Sequence, residues 1–154
     1  MYYNVALLDV ASMHPTSMEI LNVFGDEYTE NYSALKRARI AIKRKQYDIA
    51  TKFFVGRLGP YLKDEADAEA LSYALKIVIN IVYGLTSAKF DNPFRDLRNK
   101  DNIVAKRGAL FMIELKERCE ARGMNVVHIK TDSIKIANAT EADWEFIYSV
   151  GNEY

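Results

Sequence analysis

The sequence has few of the features that stabilise small secreted domains or that allow a segment to span a membrane. It contains one cysteine, Cys119, so no internal disulfide can form and a reducing compartment is expected, with Cys119 as a structural residue. No apolar run is expected to reach the length of a membrane span, and the first residues lack the basic start of a signal peptide. We therefore expect a cytoplasmic protein with no membrane partner.

The chain also has no net charge, because 21 Lys and Arg residues balance 21 Asp and Glu residues. This balance excludes a global attraction to nucleic acid or to a membrane. The distribution is uneven, since the segment from Lys36 to Lys52 has a single acid, Asp48. Its basic residues are Lys36, Arg37, Arg39, Lys43, Arg44, Lys45 and Lys52. The segment is either a solvated helix face or a surface that meets phosphates.

What is present is an ordinary globular composition, with 49% apolar residues in a chain of 154. Short apolar runs predict a strand at 4–10 and a strand–turn–strand hairpin at 126–136, with a further short strand at 85–90. Helical spacing and end signals predict helices at about 15–24, 32–55, 63–84, 101–123 and 140–154, with a loop at 25–31. The order of elements predicts an α+β fold in which two antiparallel helices, joined by a tight turn, are inserted between strands.

Two aspartates stand next to apolar strands. Asp9 closes the first strand, and Asp132 sits at the tip of the predicted hairpin. If these strands are neighbours, two carboxylates meet in a partly buried place, which is costly unless a cation neutralises them. Mg²⁺ suits such a pair, and two ions can serve a transfer reaction. The alternative is that both are ordinary turn and cap aspartates.

The second long helix carries a polar cluster. Lys76, Asn80 and Tyr83 are spaced by four and three residues and so share one face. The surrounding residues are apolar and expected to be buried, so the lysine and the amide need partners. A phosphate would suit the lysine. The alternative is a lysine that reaches out to solvent and a satisfied core amide.

Three segments together carry a family resemblance. They read "DVASMHPTS" from Asp9, "KIVINIVYG" from Lys76 and "HIKTDS" from His128. In this order, with a helical hairpin between the first two, they resemble motifs A, B and C of the phage-type family B DNA polymerases. The resemblance spans residues 9–133, which is the palm and fingers region of that family.

The resemblance implies a DNA-directed DNA polymerase, a nucleotidyltransferase that joins a dNTP to a primer 3′-OH by two-metal chemistry. Asp9 and Asp132 correspond to the catalytic carboxylates that bind two Mg²⁺ ions, for which Mn²⁺ can substitute. The backbone carbonyl of Val10 corresponds to a further metal ligand.

The resemblance also implies a nucleotide site. Its residues here are Ser12, Met13, His14, Lys76, Asn80 and Tyr83. The backbone of the first three would lie under the triphosphate, and His14 replaces the tyrosine that excludes ribose. Lys76 would hold the triphosphate beside Asn80, and Tyr83 would flank the nascent base pair. Arg39 and Lys43 are both candidates for a further phosphate-binding residue.

Besides His14, the sequence departs from the family at two further places near these sites. Lys130 stands where motif C has its first acid, and Ile81 replaces a serine. Lys130 and Asp132 are two positions apart and share a strand face unless the turn intervenes. Lys130 is then either a charge that tunes a metal site or a solvated hairpin lysine.

The implied organisation is a palm with an inserted fingers hairpin: residues 1–28 and 85–154 form the palm, and residues 29–84 the fingers. No exonuclease segment precedes Asp9 and no thumb follows Tyr154, so we expect a part of a larger or split polymerase, inactive alone. Its partners would be primer–template DNA, dNTP and the missing segments of the same or a companion chain, in the host cytoplasm if a phage encodes it.

Two alternatives stay open. A reverse transcriptase shares the logic of two aspartates, but it is expected to have adjacent acids in the hairpin, where this chain has "KTDS". A non-catalytic nucleic-acid-binding fragment of a truncated polymerase is the second. It would need exposed aromatic residues on the strands, and the strands here are mostly aliphatic.

Overall fold

The computed structural model describes residue 2 and residues 4–154, apart from the side chains of Lys100 and Asp101. Its strands are Val5–Asp9 (β1), Asn125–Ile129 (β2) and Ser133–Ala137 (β3). Its α-helices are Met13–Ile20 (α1), Gly25–Lys43 (α2), Tyr47–Ala50 (α3), Glu65–Thr86 (α4), Ile103–Ala121 (α5) and Glu141–Glu153 (α6). Short 3₁₀ turns occur at Phe53–Gly56, Gly59–Tyr61 and Leu97–Asp101. The predicted α+β class is confirmed.

The chain forms two compact units. Unit 1 comprises the residues up to Met13 together with Ala105–Tyr154, and unit 2 comprises His14–Val104. The domain boundaries after residues 28 and 84 were drawn from sequence motifs, and they stay a prediction.

Unit 1 is built on an antiparallel sheet of order β1-β3-β2. Leu8, Ile134 and Ile136 lie on the face that packs into a core with residues of α5 and α6. Val5 and Leu7 alternate with Leu8 along β1 and are exposed on the other face. The core includes Cys119, which is fully buried, and burial raises the pKa of its thiol to about 11.

Unit 2 contains the antiparallel pair α2 and α4. Lys45, just beyond the C-terminal end of α2, pairs with Glu65 at the start of α4 at 2.6 Å. Near the other end, the Tyr32 hydroxyl donates to the carbonyl of Ile79 at 3.4 Å. The helical hairpin is therefore as predicted, but the tight turn is not. Residues 44–64 connect the two helices and contain α3 and two 3₁₀ turns.

The predicted helix at 32–55 is wrong at both ends. Helix α2 begins at Gly25, so the predicted loop at 25–31 is helical. Asp26 and Glu27 lie in its first turn, where the helix dipole favours acids. It ends at Lys43, because Lys45 adopts a left-handed backbone with φ of 57°. The Gln46 N–H then donates back to the carbonyl of Ala41, which closes the helix.

Other predicted elements had mixed outcomes. The structure confirms the hairpin β2–β3, the end of α5 before Gly123 and the C-terminal helix α6. Helix α6 begins with a capping box between Thr140 and Asp143. The predicted strand at 85–90 is wrong, since α4 continues through Thr86 and no strand follows in the described residues 87–90. Helix α1 ends at Ile20 rather than near residue 24.

Helix α4 is long and apolar enough to cross a membrane by length and composition alone, with a mean hydropathy of 1.3 over an 18-residue window. The core helix of a soluble protein meets the same two criteria. The expectation that no segment reaches the length of a span therefore does not hold for α4 by these two measures. The cytoplasmic location stays a prediction.

Candidate functional site

The first candidate site lies at one end of the sheet in unit 1. Asp9 is the last residue of β1 and pairs in register with Ser133, the first residue of β3. One step further, the Val10 N–H donates to the carbonyl of Asp132 at 2.7 Å. The strands are neighbours as the sequence argument required, and the backbones of Asp9, Val10 and Asp132 come together.

The local sequence fixes this pairing. Leu8 pairs with Ile134, and both pack into the core of unit 1. A slip of one residue would turn these apolar side chains to the open face, so burial specifies the register. By the same alternation, Asp9 lies on the open face of the sheet with Leu7.

The hairpin tip places Asp132. The Lys130 N–H donates to the carbonyl of Ser133 at 2.8 Å, which leaves Thr131 and Asp132 as the two residues at the tip. The turn therefore intervenes between Lys130 and Asp132, and the shared strand face does not apply to them. Lys130 is exposed, and its side chain forms no ion pair within the described part of the chain.

Asp9 and Asp132 are both exposed, so the expected partial burial is wrong. The cost of burying two like charges is consequently not what would recruit a cation here. The donor set itself still fits Mg²⁺, because two carboxylates and the Val10 carbonyl are hard oxygen ligands, and exposure leaves room for waters and substrate oxygens. Larger clusters of three or more His, Cys, Asp or Glu residues that could hold a metal do not occur among the described residues.

The second candidate site is a groove of about 390 Å³ in unit 2, between α2 and α4. Lys76 of α4 lines it together with Arg39 and Lys43 of α2. The groove thus contains Lys76, the lysine predicted to hold the triphosphate. It also contains both Arg39 and Lys43, the two candidates between which spacing alone could not choose. Acidic residues line it too, namely Glu65 and Glu69.

Within the described part of the chain, Arg39 contributes a buried donor without a partner to this groove. Burial lowers the pKa of its guanidinium, and its Nε is a buried donor with no acceptor among the described residues. Lys45, in contrast, donates a hydrogen bond to Glu65 that raises the pKa of Lys45. A buried donor without an acceptor is uncommon, and a phosphate oxygen would satisfy it.

Lys76 and Asn80 are exposed. Ile77, Val78 and Ile81 are between 42% and 56% exposed whereas Ile79 is buried, so the predicted burial of this stretch is wrong for most of its residues. Lys76 therefore needs no partner to offset burial, and its place in the groove is what supports a binding role. Asn80 lies one turn further along α4, outside the groove lining.

His14 and Tyr83 form a stacked pair in unit 2, with ring centroids 4.9 Å apart and ring planes 14° from parallel. The Tyr83 hydroxyl donates to Asn102 at 3.2 Å, and burial raises the pKa of Tyr83. The Nδ1 atom of His14 is buried and has no hydrogen-bond partner in the described structure. Two residues predicted to contact the nucleotide are thus brought together.

Ser12 and Met13 differ from each other in their surroundings. Ser12 has a left-handed backbone with φ of 61° between β1 and α1. Met13 is buried in the core of unit 1, and its carbonyl accepts a hydrogen bond from the Tyr154 hydroxyl at 3.4 Å. The side chain of Met13 is therefore structural, and the role implied by the resemblance concerns its backbone.

Sequence reasoning missed the structural use of the basic segment. Lys36 is 9% exposed and forms an ion pair with Glu19, which also accepts a hydrogen bond from Arg37 at 3.1 Å. No local signal links residues 17 positions apart. Part of the predicted phosphate-facing segment is thus committed to an internal network.

Neither protein-family models nor curated proteins give a match to this chain. The family resemblance therefore rests on the three sequence motifs.

Proposed function

We propose that this chain is the palm and fingers part of a phage-type family B DNA polymerase, larger than this chain or split. Its reaction is template-directed transfer of a nucleotide from a dNTP to a primer 3′-OH. The observation that carries the proposal is the antiparallel pairing of the Asp9 strand with the Asp132 hairpin. Two acids far apart in sequence, named from separate motifs, occupy one end of one sheet.

The two units fit the parts of such an enzyme. The sheet of unit 1 has helices on one face and Asp9 on the other, which suits a palm. The antiparallel helices α2 and α4 of unit 2 suit fingers, because their basic groove would take a triphosphate. Exonuclease and thumb segments, primer–template DNA and dNTP are the partners this assignment requires.

The roles of the residues follow. Asp9, Asp132 and the Val10 carbonyl would hold two Mg²⁺ ions. When bound, these ions lower the pKa of the primer hydroxyl and offset the charge that develops on the pyrophosphate. Lys76, Arg39 and Lys43 would orient the triphosphate. Alignment and charge stabilisation, rather than a covalent intermediate, would supply the rate.

The first test replaces Asp132 with Asn, which removes one anionic ligand with little change in shape. We expect Mn²⁺ binding by the chain, measured by electron paramagnetic resonance, to weaken by roughly tenfold or more, by analogy with other lost metal contacts. Incorporation by a polymerase that contains this chain should be abolished. Asp48→Asn, at an exposed acid of unit 2, is the matched control. Equal Mn²⁺ affinity for Asp132→Asn and the parent would refute the metal assignment.

The second test replaces Lys76 with Ala. We expect the dissociation constant of a fluorescent dNTP to rise by roughly tenfold, because a charge-assisted hydrogen bond to phosphate is lost. The apparent KM for nucleotide should rise with it. Lys89→Ala removes an exposed lysine of the same unit outside the groove lining. If both variants bind nucleotide alike, Lys76 is only a surface lysine.

A non-catalytic nucleic-acid-binding fragment is the second candidate function. The exposed Lys130 beside the hairpin tip favours it, since a cation near Asp132 lowers the affinity of that place for Mg²⁺. Under this alternative, Asp132→Asn would leave both Mn²⁺ and oligonucleotide binding unchanged.

A further inference from the structure

Residues 51–63, here called the tip loop, connect α3 to α4 in unit 2. Its apolar side chains pack against the core shared by α2 and α4. These side chains are Phe53, Phe54, Leu58 and Leu62. The loop is thus anchored to this core at four positions along its length.

The backbone at the centre of the loop supports this description. Phe54, Val55 and Gly56 are three successive left-handed residues, with φ of 53°, 57° and 79°. Such a backbone is unfavourable for phenylalanine and for a β-branched valine, and it persists only where the surrounding structure fixes it. The turn projects Val55 outward, where it is 97% exposed.

The exposed residues of the tip loop include three cations and an aromatic ring. Lys52, Arg57 and Lys63 are exposed, and none of them has an ion pair with another described residue. No acid occurs between residues 49 and 63. Tyr61 lies between Arg57 and Lys63 in the sequence and is 61% exposed.

We propose that the tip loop binds single-stranded nucleic acid. The three cations would contact successive phosphates and Tyr61 would stack on a base, which is how proteins hold single strands without reading sequence. A second copy of the chain is disfavoured as occupant because cations would face cations. A lipid surface usually requires a broad apolar helix face, and only Val55 and Tyr61 project here.

This site is separate from the groove that Lys76 lines, since the tip loop contributes no residue to that groove. It does not depend on nucleotidyl transfer. Asp132→Asn should consequently leave oligonucleotide binding intact, so a failure of the polymerase assignment and a failure of this inference can be told apart.

The first arm of the experiment measures binding of a dye-labelled oligothymidylate of about 12 nucleotides to the chain by fluorescence anisotropy. Tyr61→Ala should weaken binding by roughly 5- to 100-fold, and Tyr61→Phe should retain it because the ring remains. Tyr28→Ala, at a tyrosine of unit 2 that is 59% exposed, is the control and should bind as the parent does. Equal affinities for Tyr61→Ala and Tyr28→Ala would overturn the stacking role.

The second arm measures the salt dependence. Replacing Lys52, Arg57 and Lys63 with Gln should reduce the slope of log affinity against log salt by about 2, near 0.7 for each lost phosphate contact. A variant with Lys89, Lys106 and Lys116 replaced by Gln has the same net charge and should keep the slope. Circular dichroism confirms that both fold. Equal loss in both variants, or binding to phosphatidylserine vesicles without oligonucleotide binding, would overturn the proposal.

Discussion

Val55 holds a backbone conformation that a β-branched side chain adopts only at a cost, with φ of 57°. Its side chain is almost wholly exposed, so packing within the chain offsets little of that cost. Asparagine tolerates the left-handed region far better. We therefore expect Val55→Asn to raise the free energy of unfolding by about 1 kcal/mol in a urea titration.

Val78→Asn is the matched control, because Val78 is 43% exposed but lies within helix α4. This variant should gain nothing, since valine and asparagine have similar helix propensities. A gain at residue 78 equal to that at residue 55 would mean that the backbone conformation is not the cause.

Single residues also show where the sequence was informative about the candidate site. Asp9 and Asp132 could be paired in advance because each follows an apolar run that a sheet must bury. The exposure of Asp9 could not be predicted, since it depends on which sheet face the helices cover, and Asp132 is exposed because it lies in the hairpin turn. Arg39 and Lys43 could not be separated by spacing, and the structure places both in one groove.

Among the elements, helix ends show why some boundaries were predictable. Helices α1, α2 and α5 all end in a left-handed residue, which is Asn22, Lys45 and Gly123 respectively. Glycine is the clearest signal of such an end in a sequence, because it adopts this backbone without strain, whereas asparagine tolerates it less well and lysine is disfavoured. Apolar spacing meanwhile continues past Lys45 to Ile49 and Phe53, so periodicity predicts a helix that the backbone does not form.

Gly84 is the converse case, a glycine that gave a false end. Its φ is not left-handed, and a Cβ there would meet nothing within 4 Å, so α4 continues past it. The hydroxyl of buried Thr86 then donates to the carbonyl of Tyr83 at 2.6 Å near the helix end. Tertiary surroundings thus override the residues that favoured a strand at 85–90.

Helix α5 carries a glycine with a different purpose. A Cβ on Gly108 would lie 2.7 Å from the Sδ atom of Met13, whose buried side chain has little room to move. Gly108→Ala gains helix propensity of about 1 kcal/mol but forces this overlap, which typically costs 1–3 kcal/mol. We expect a net loss of about 1 kcal/mol in the free energy of unfolding, measured by urea denaturation.

Gly151→Ala in α6 provides the contrast, because nothing lies within 4 Å of the added Cβ. This variant should be more stable than the parent by up to about 1 kcal/mol. If Gly108→Ala is stabilised to the same extent, Met13 yields freely and the close approach has no structural purpose.

At the scale of the whole molecule, the candidate functions divide between the units. The proposed metal ligands belong to unit 1, whereas the basic groove and the His14–Tyr83 stack belong to unit 2. The residues of each part were named from the sequence because each motif is local, and their proposed roles stay predictions. The groove itself, with its cations and its acids, arises from packing two helices whose contacts no single segment encodes.

Carboxylates in both units are stabilised in their charged form, and this makes stability depend on pH. Burial acts to raise the pKa of Glu19, but hydrogen bonds from Lys36 and Arg37, together with the charge of Lys36, outweigh it and hold the pKa below its ordinary value. The Arg98 side chain lowers the pKa of Asp96, and the Thr140 N–H lowers that of Asp143. A carboxyl with a depressed folded pKa contributes stability above its unfolded pKa, and that contribution is lost as pH falls through the folded pKa.

The free energy of unfolding should therefore be steady near neutral pH and fall as pH decreases below about 5. Glu19→Gln should lose about 2 kcal/mol at pH 7, because Lys36 keeps its burial but loses its charged acceptor. The difference from the parent should shrink as pH falls, since protonation removes the same interaction from the parent.

Glu117→Gln, at an exposed acid of α5, should follow the parent curve throughout. Urea titrations at a series of pH values test this. A gap between Glu19→Gln and the parent that stays constant down to pH values where the parent unfolds would show that the Glu19 carboxylate contributes through packing rather than through its charge.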